Sequence, residues 1–136
     1  MSSLKAVIAA LFLALGLAIA APALAQSLSP LEKSGLTPSD RKAFRLQVGN
    51  PYERRMTFSL LPMLPDYETS AKGVVIKPAE LTLAPGITRN IIVTFDIDPA
   101  KKERTIALCV MPKAMDGPIL PRVCGLYTGR MAGHGG

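Results

Sequence analysis

The chain contains a single histidine, His134, and it sits in a glycine-rich tail. A Ser-His-Asp relay needs an imidazole held between nucleophile and carboxylate, so that chemistry is excluded. Cysteine is scarce as well. Cys109 and Cys124 are the only two, too far apart for a C-x-x-C redox motif. Aromatics make up 5% of the residues, and the basic side chains stand singly or in pairs (Arg54-Arg55, Lys101-Lys102). Without aromatics interleaved to stack bases, no nucleic-acid partner is expected. Long helical periodicity is missing after residue 25. Met56, Met63, Met111, Met115 and Met131 show no M-x-x-M clustering and no accompanying histidine. A Cu(I) site needs several soft ligands to converge, so copper binding ranks behind core filling by these thioethers. The carboxylates Asp66, Asp96, Asp98 and Glu103 fall in loops or on a solvent face. Asp96 and Asp98 could pair for acid-base work or calcium, but charge beside a proline turn is ordinarily solvation. Neither enzymatic activity nor a cofactor is expected.

What the sequence does have begins at its first residue. Met1 to Lys5 carries one positive charge, Ala6 to Ala20 is an unbroken apolar run, and Pro22 precedes Ala23-Leu24-Ala25. This order of charged, apolar and small-residue regions is that of a secretory signal, with cleavage expected after Ala25. The run is too short for a convincing membrane anchor, and no cysteine follows it to carry a lipid. No stable membrane insertion is expected after cleavage. Removing 25 of the 136 residues leaves 111 that start at Gln26, enough for one domain. Without Lys5, fifteen Lys and Arg face ten Asp and Glu, a balance of +5. The scattered charges read as a solvated basic surface, with weak attraction to an anionic membrane or cell-wall surface as the alternative. In an exported chain, two cysteines point to one disulfide.

Short β-rich runs punctuated by Pro, Gly, Asn and Asp about every ten residues predict an all-β sandwich of seven strands. The first is expected over Leu28–Leu36, the second over Lys42–Val48, ended by Gly49-Asn50-Pro51, and the third over Arg55–Leu61. The fourth spans Gly73–Ile76 and Glu80–Leu83, interrupted at Pro78 as at an edge or a crossing point. Ala84-Pro85-Gly86 forms a turn with Gly free to take positive φ. The fifth strand, Thr88–Ile97, points Ile91, Val93, Phe95 and Ile97 one way, with Ile92 as an apolar exception on the polar side. Arg104–Met111 and Ile119–Tyr127 complete the set. Domain boundaries are expected at 1–25 for the signal, 26–128 for the sandwich and 129–136 for a disordered tail. A faint internal echo relates Pro30–Leu46 to Pro78–Val93: each reads strand, proline-containing turn, strand.

A turn centred between Asp116 and Gly117 pairs residues whose numbers sum to 233, and Cys109 and Cys124 share that sum. The two cysteines therefore oppose each other across the last hairpin, near bridging distance. The same register sends Ile106, Leu108, Val110, Val123 and Tyr127 to the core. Thr105, Ala107, Cys109, Met111, Cys124 and Leu126 go to the outer face, so the bridge should staple that face rather than cross the core. Pro112 and Pro121 also face each other, so the ladder must be interrupted there.

Gly73-Val-Val-Ile-Lys-Pro-Ala-Glu-Leu-Thr-Leu-Ala-Pro-Gly86, an alternating strand, and then Lys102-Glu-Arg-Thr-Ile-Ala-Leu-Cys-Val-Met-Pro112 form an ordered pattern. Phe44-Arg-Leu-Gln-Val-Gly-Asn-Pro51 and Arg122-Val-Cys-Gly-Leu-Tyr127 flank it. Together these resemble the N-terminal immunoglobulin-like domain of periplasmic pilus-assembly (PapD-like) chaperones, over about residues 42 to 127. The resemblance implies a periplasmic, non-enzymatic protein-binding module that captures an exported, pilin-like subunit by strand addition. It also implies that Cys124, Leu126 and Thr128 form the partner-binding edge on the last strand. Members of that family carry a second domain, and they anchor a pilin carboxylate with one Arg and one Lys. Here the Lys falls on Cys124, and Arg41 is the candidate for the Arg. A stand-alone structural envelope protein is the alternative reading.

Overall fold

A computed structural model describes residues 26–114 and 120–133. The expected signal segment, the turn residues 115–119 and the last three residues lie outside the described residues. Among the described residues nine strands follow one another: β1 (Ser27–Ser29), β2 (Glu32–Thr37), β3 (Arg41–Gly49), β4 (Met56–Met63), β5 (Val74–Lys77), β6 (Glu80–Leu83), β7 (Thr88–Asp96), β8 (Glu103–Pro112) and β9 (Val123–Met131). They form a four-stranded sheet, β1-β3-β7-β5, and a five-stranded sheet, β2-β9-β8-β4-β6.

The count exceeds the expected seven because two of the anticipated strands divide between the sheets. The Ser29-Pro30 and Lys77-Pro78 peptide bonds are both cis. At each, the chain leaves the four-stranded sheet and enters the other, from β1 to β2 and from β5 to β6. A proline cannot donate to a ladder and so suits the point where the chain leaves one ladder for another. The echo between Pro30–Leu46 and Pro78–Val93 thus has a structural meaning: both prolines mark sheet switches. The turn at Ala84-Pro85-Gly86 forms as expected, with Gly86 at φ 73°.

Alternation then sets the core. Phe44, Leu46 and Val48 of β3 and Ile91, Val93 and Phe95 of β7 face Phe58 and Leu60 of β4 and Ile106, Leu108 and Val110 of β8. The Phe44 ring lies 6.2 Å from Phe95 and 6.1 Å from Tyr127, centroid to centroid, in tilted contacts. Tyr127 reaches across its own strand and donates from its hydroxyl to the Pro30 carbonyl at 2.7 Å. A Cβ on Gly125 would collide with that hydroxyl, so glycine is required for the ring to lie there.

Two buried polar side chains bind the loops to this core. Asn50, in the turn after β3, donates to the carbonyls of Arg54 and Leu83 at 2.9 Å and accepts from the Tyr52 amide. Gln26 is 2% exposed. Its carboxamide nitrogen donates to the carbonyls of Val110 and Pro121, both at 2.7 Å, and its oxygen accepts from the Tyr52 hydroxyl at 3.3 Å. Among the described residues, no buried side-chain polar atom lacks a partner.

The last strand starts four residues later than expected and runs further. Pro121 delays its start to Val123, and pairing with β2 carries it to Met131. Gly129, assigned above to a disordered tail, instead lies buried in β9, where an added Cβ would press on Lys42 and Ile97.

Candidate functional site

The β8–β9 ladder has the register expected from the turn, with Cys109 opposite Cys124, and the two form a disulfide. It ends at Val110–Val123, short of the facing prolines, and β8 continues along β4 through Met111 and Pro112. The bridge lies on the outer face of the five-stranded sheet, outside the main core. That face is nevertheless covered. Met63, Ala107 and Cys109 are buried in a second apolar cluster, with Tyr67, Cys124 and Leu126 packed against it.

Tyr67 belongs to the connection between β4 and β5, which folds back over the sheet. Asp66 organises this loop: its carboxylate accepts from the amides of Glu68 and Thr69 and from the Thr69 hydroxyl at 2.6 Å. The Thr69 hydroxyl, followed by the two amides, holds the Asp66 carboxyl below its ordinary range. Arg122 closes the loop from the other side by donating to the Tyr67 carbonyl at 2.7 Å.

The expected binding edge is not at β9. That strand is internal, with β8 on one side and β2 in parallel on the other from Leu126 to Met131. A parallel partner from the N-terminal run cannot be inferred from local pairing rules, which favour hairpins. Cys124 is tied into the disulfide cluster. Leu126 and Thr128 keep their side chains on the outer face, where they line shallow depressions with Ser34, Gly35 and Leu36.

The free edge is β2 itself, one strand further out. Its six residues exceed the three of β1 and the four each of β5 and β6, the other sheet edges. The Leu31 and Thr37 carbonyls accept from the Leu126 and Ala132 amides on the β9 side. Strand alternation then turns the backbone groups of Glu32, Ser34 and Leu36 outward. One of these, the Leu36 carbonyl, accepts from the Lys42 ammonium at 3.1 Å. Leu36 is 65% exposed and Leu31 51%. The core-facing side of β2 carries Lys33, whose ammonium sits 5.8 Å from the Phe44 ring centroid, with Lys42 at 4.9 Å. A cation turned inward on an edge strand discourages indiscriminate pairing, because any added strand must accommodate it. All of β2 but Thr37 falls within the first strand expected over Leu28–Leu36; the short polar run between Pro30 and Pro38, with Leu31 and Leu36 near its ends, is the signal of an edge in the sequence.

Arg41 does not reach this site. It opens β3 on the outer face of the opposite sheet and pairs with Asp96 at 3.2 Å. It and Cys124 lie on opposite outer faces of the sandwich, so they cannot grip one carboxylate. The other acidic candidates are likewise engaged. The Asp98 side chain accepts from the Ala100 amide, and Glu103 pairs with Arg130 at 3.2 Å. Met56 fills the main core and Met63 the outer cluster.

No family model and no curated protein matches the chain in sequence. Solved structures do match it in shape. The Escherichia coli chaperone DraB superposes with a TM-score of 0.63 at 15% identity, over 79% of this chain and 55% of its own. The SafB chaperone of Salmonella enterica, solved in complex with the SafA pilin, gives 0.65 at 13% identity, over 82% and 57%. A PapD-like domain of human CEP192 gives 0.58 at 11% identity, over 79% and 84%. The chain thus spans little more than half the length of the chaperones it matches. Two sheets, proline-marked sheet switches and these superpositions establish that the chain has the PapD-like immunoglobulin fold of pilus chaperones.

Proposed function

We propose that this chain is a non-enzymatic, chaperone-like binding module of the periplasm that captures an exported, pilin-like subunit by strand addition. The observation that carries this reading is the free edge of β2. Its outward amides and carbonyls offer a ladder, and its exposed Leu36, with Leu126 and Thr128 beside it, offers side-chain contact. Backbone pairing supplies affinity, while the flanking leucines and the inward lysines select which strand fits. The fold shared with chaperones supports the same reading, as does the signal-like N-terminus. Carboxylate anchoring is not part of it, since Arg41 is committed to Asp96 on the far face.

The test is capture of envelope proteins by the tagged mature chain, compared with Ser34→Pro. That substitution removes an outward amide without touching the β9 ladder, and proline is tolerated on an edge strand. Recovery of an exported subunit by the wild type and its loss in Ser34→Pro are the expected results. A clean monomer that captures nothing would identify a stand-alone structural envelope protein instead. Undiminished capture by Ser34→Pro would rule out this edge.

A further inference from the structure

The charge of the domain is divided unevenly between its sheets. The outer face of the four-stranded sheet carries Arg41, Arg45 and Lys77 against Asp96, a balance of +2, while Lys42 and Arg89 fall on the core-facing alternation. The outer face of the five-stranded sheet carries Arg130 against Glu32, Glu80 and Glu103, a balance of −2, with Lys33 and Arg104 on the core-facing alternation. On the outer face of the four-stranded sheet, the register lines up Arg45, Ile92 and Lys77 across three adjacent strands. The next row holds Ala43, Thr94 and Val75. Ile92 is 45% exposed and Val75 53%. Among the described residues, neither Arg45 nor Lys77 forms an ion pair; the one carboxylate of this face, Asp96, is taken by Arg41.

We infer that this face rests on the surface of an anionic phospholipid bilayer. Two aliphatic side chains standing among long basic stems match the layering of a headgroup region. The ammonium and guanidinium groups reach phosphates while the stems and the Ile92 and Val75 tips enter the acyl boundary. An acidic protein would satisfy the charges but would need pockets for two exposed aliphatics, and among the described residues the strands of this face present no outward aromatic around which such an interface would form. The β2 edge belongs to the other sheet, so a bilayer-bound domain keeps it open to a partner.

Sedimentation of the mature chain with vesicles tests this. Vesicles of phosphatidylethanolamine with about one third phosphatidylglycerol are compared with phosphatidylcholine vesicles, with each basic contact worth about fivefold in partitioning. The chain should bind the anionic vesicles and not the zwitterionic ones, and added salt should weaken the binding. Arg45→Glu with Lys77→Glu should reduce binding by about 25-fold or more, counting only the two lost contacts, with the melting temperature unchanged. Val75→Ser with Ile92→Ser should weaken it several-fold at constant salt. Equal binding to both vesicle types, or binding unaffected by the double reversal, would overturn the inference. So would absence of vesicle binding together with capture of an acidic envelope protein that the reversal abolishes.

Discussion

Replacing Gln26 by alanine should be among the most damaging single changes outside the apolar core. Its carboxamide makes two donor bonds at 2.7 Å and accepts one at 3.3 Å, in a site 2% exposed. Each such bond contributes about 1 kcal/mol net, and truncation also strands buried partners, so a loss of about 3 kcal/mol is expected. With a urea m-value of about 1.5 kcal/mol/M, the unfolding midpoint should fall by about 2 M. In a thermal scan the drop should be roughly 10–15 °C. Gln26→Glu separates hydrogen bonding from packing. It keeps the shape but turns a donor into a carboxylate facing two carbonyl oxygens, which must raise its folded pKa above the ordinary value of about 4.3. A raised folded pKa means the stabilising form is the protonated one. Gln26→Glu should therefore be most stable below about pH 4 and lose stability as pH rises through its folded pKa. A loss under about 0.5 kcal/mol in Gln26→Ala, or a pH-independent deficit in Gln26→Glu, would refute the idea that these bonds fasten the start of the domain.

Reducing the disulfide should destabilise the fold by about 3 kcal/mol without unfolding it, as a drop in melting temperature would show; two reactive thiols in the native protein would contradict the bridge. Asp66→Ala should loosen the loop that carries Tyr67, so dithiothreitol should reduce Cys109–Cys124 faster than in the wild type, by thiol titration over time. In the wild type the same loop should loosen as pH falls below the ordinary carboxyl range, because the depressed pKa of Asp66 favours its charged form in the folded loop, and loss of amide exchange protection at Glu68 and Thr69 would show it. Burial pushes the Tyr127 phenol well above its ordinary 10.0, so its contribution is complete below about pH 10 and is lost as pH rises further. Denaturation midpoints should accordingly decline from about pH 10 upward, and less steeply in Tyr127→Phe. Gly125→Ala, which forces a methyl onto the Tyr127 hydroxyl, should cost about 1–3 kcal/mol by urea denaturation.

The class of the fold was legible because Phe44, Leu46 and Val48, and again Ile91, Val93 and Phe95, alternate with polar neighbours at the period of a strand. The hairpin register was legible too, since one turn fixes every cross-strand pair up to the prolines. The site was less so. That β2 lies parallel to β9 depends on residues nearly a hundred positions apart, and nothing in Glu32–Thr37 announces its partner. The cover over the cysteines was hidden for a similar reason: Tyr67 lies in a polar, proline-containing loop whose return across the sheet is set by Asp66, Thr69 and Arg122. Gln26 and Asn50 look like ordinary polar residues at a terminus and a turn, and only the assembled sandwich shows them as buried fasteners.

The parallel contact between β2 and β9 has a mechanical consequence. These strands lie near opposite ends of the chain yet run side by side in the same direction. Tension applied at the two ends would drag β2 backward and β9 forward along their common ladder. Its hydrogen bonds would then carry the load together, in shear, instead of parting one after another as in an antiparallel hairpin pulled from its open end. The upstream β1, paired with β3 in the other sheet, would share part of that load before it reached β2. A small domain joined this way should resist stretching better than its thermal stability alone would suggest.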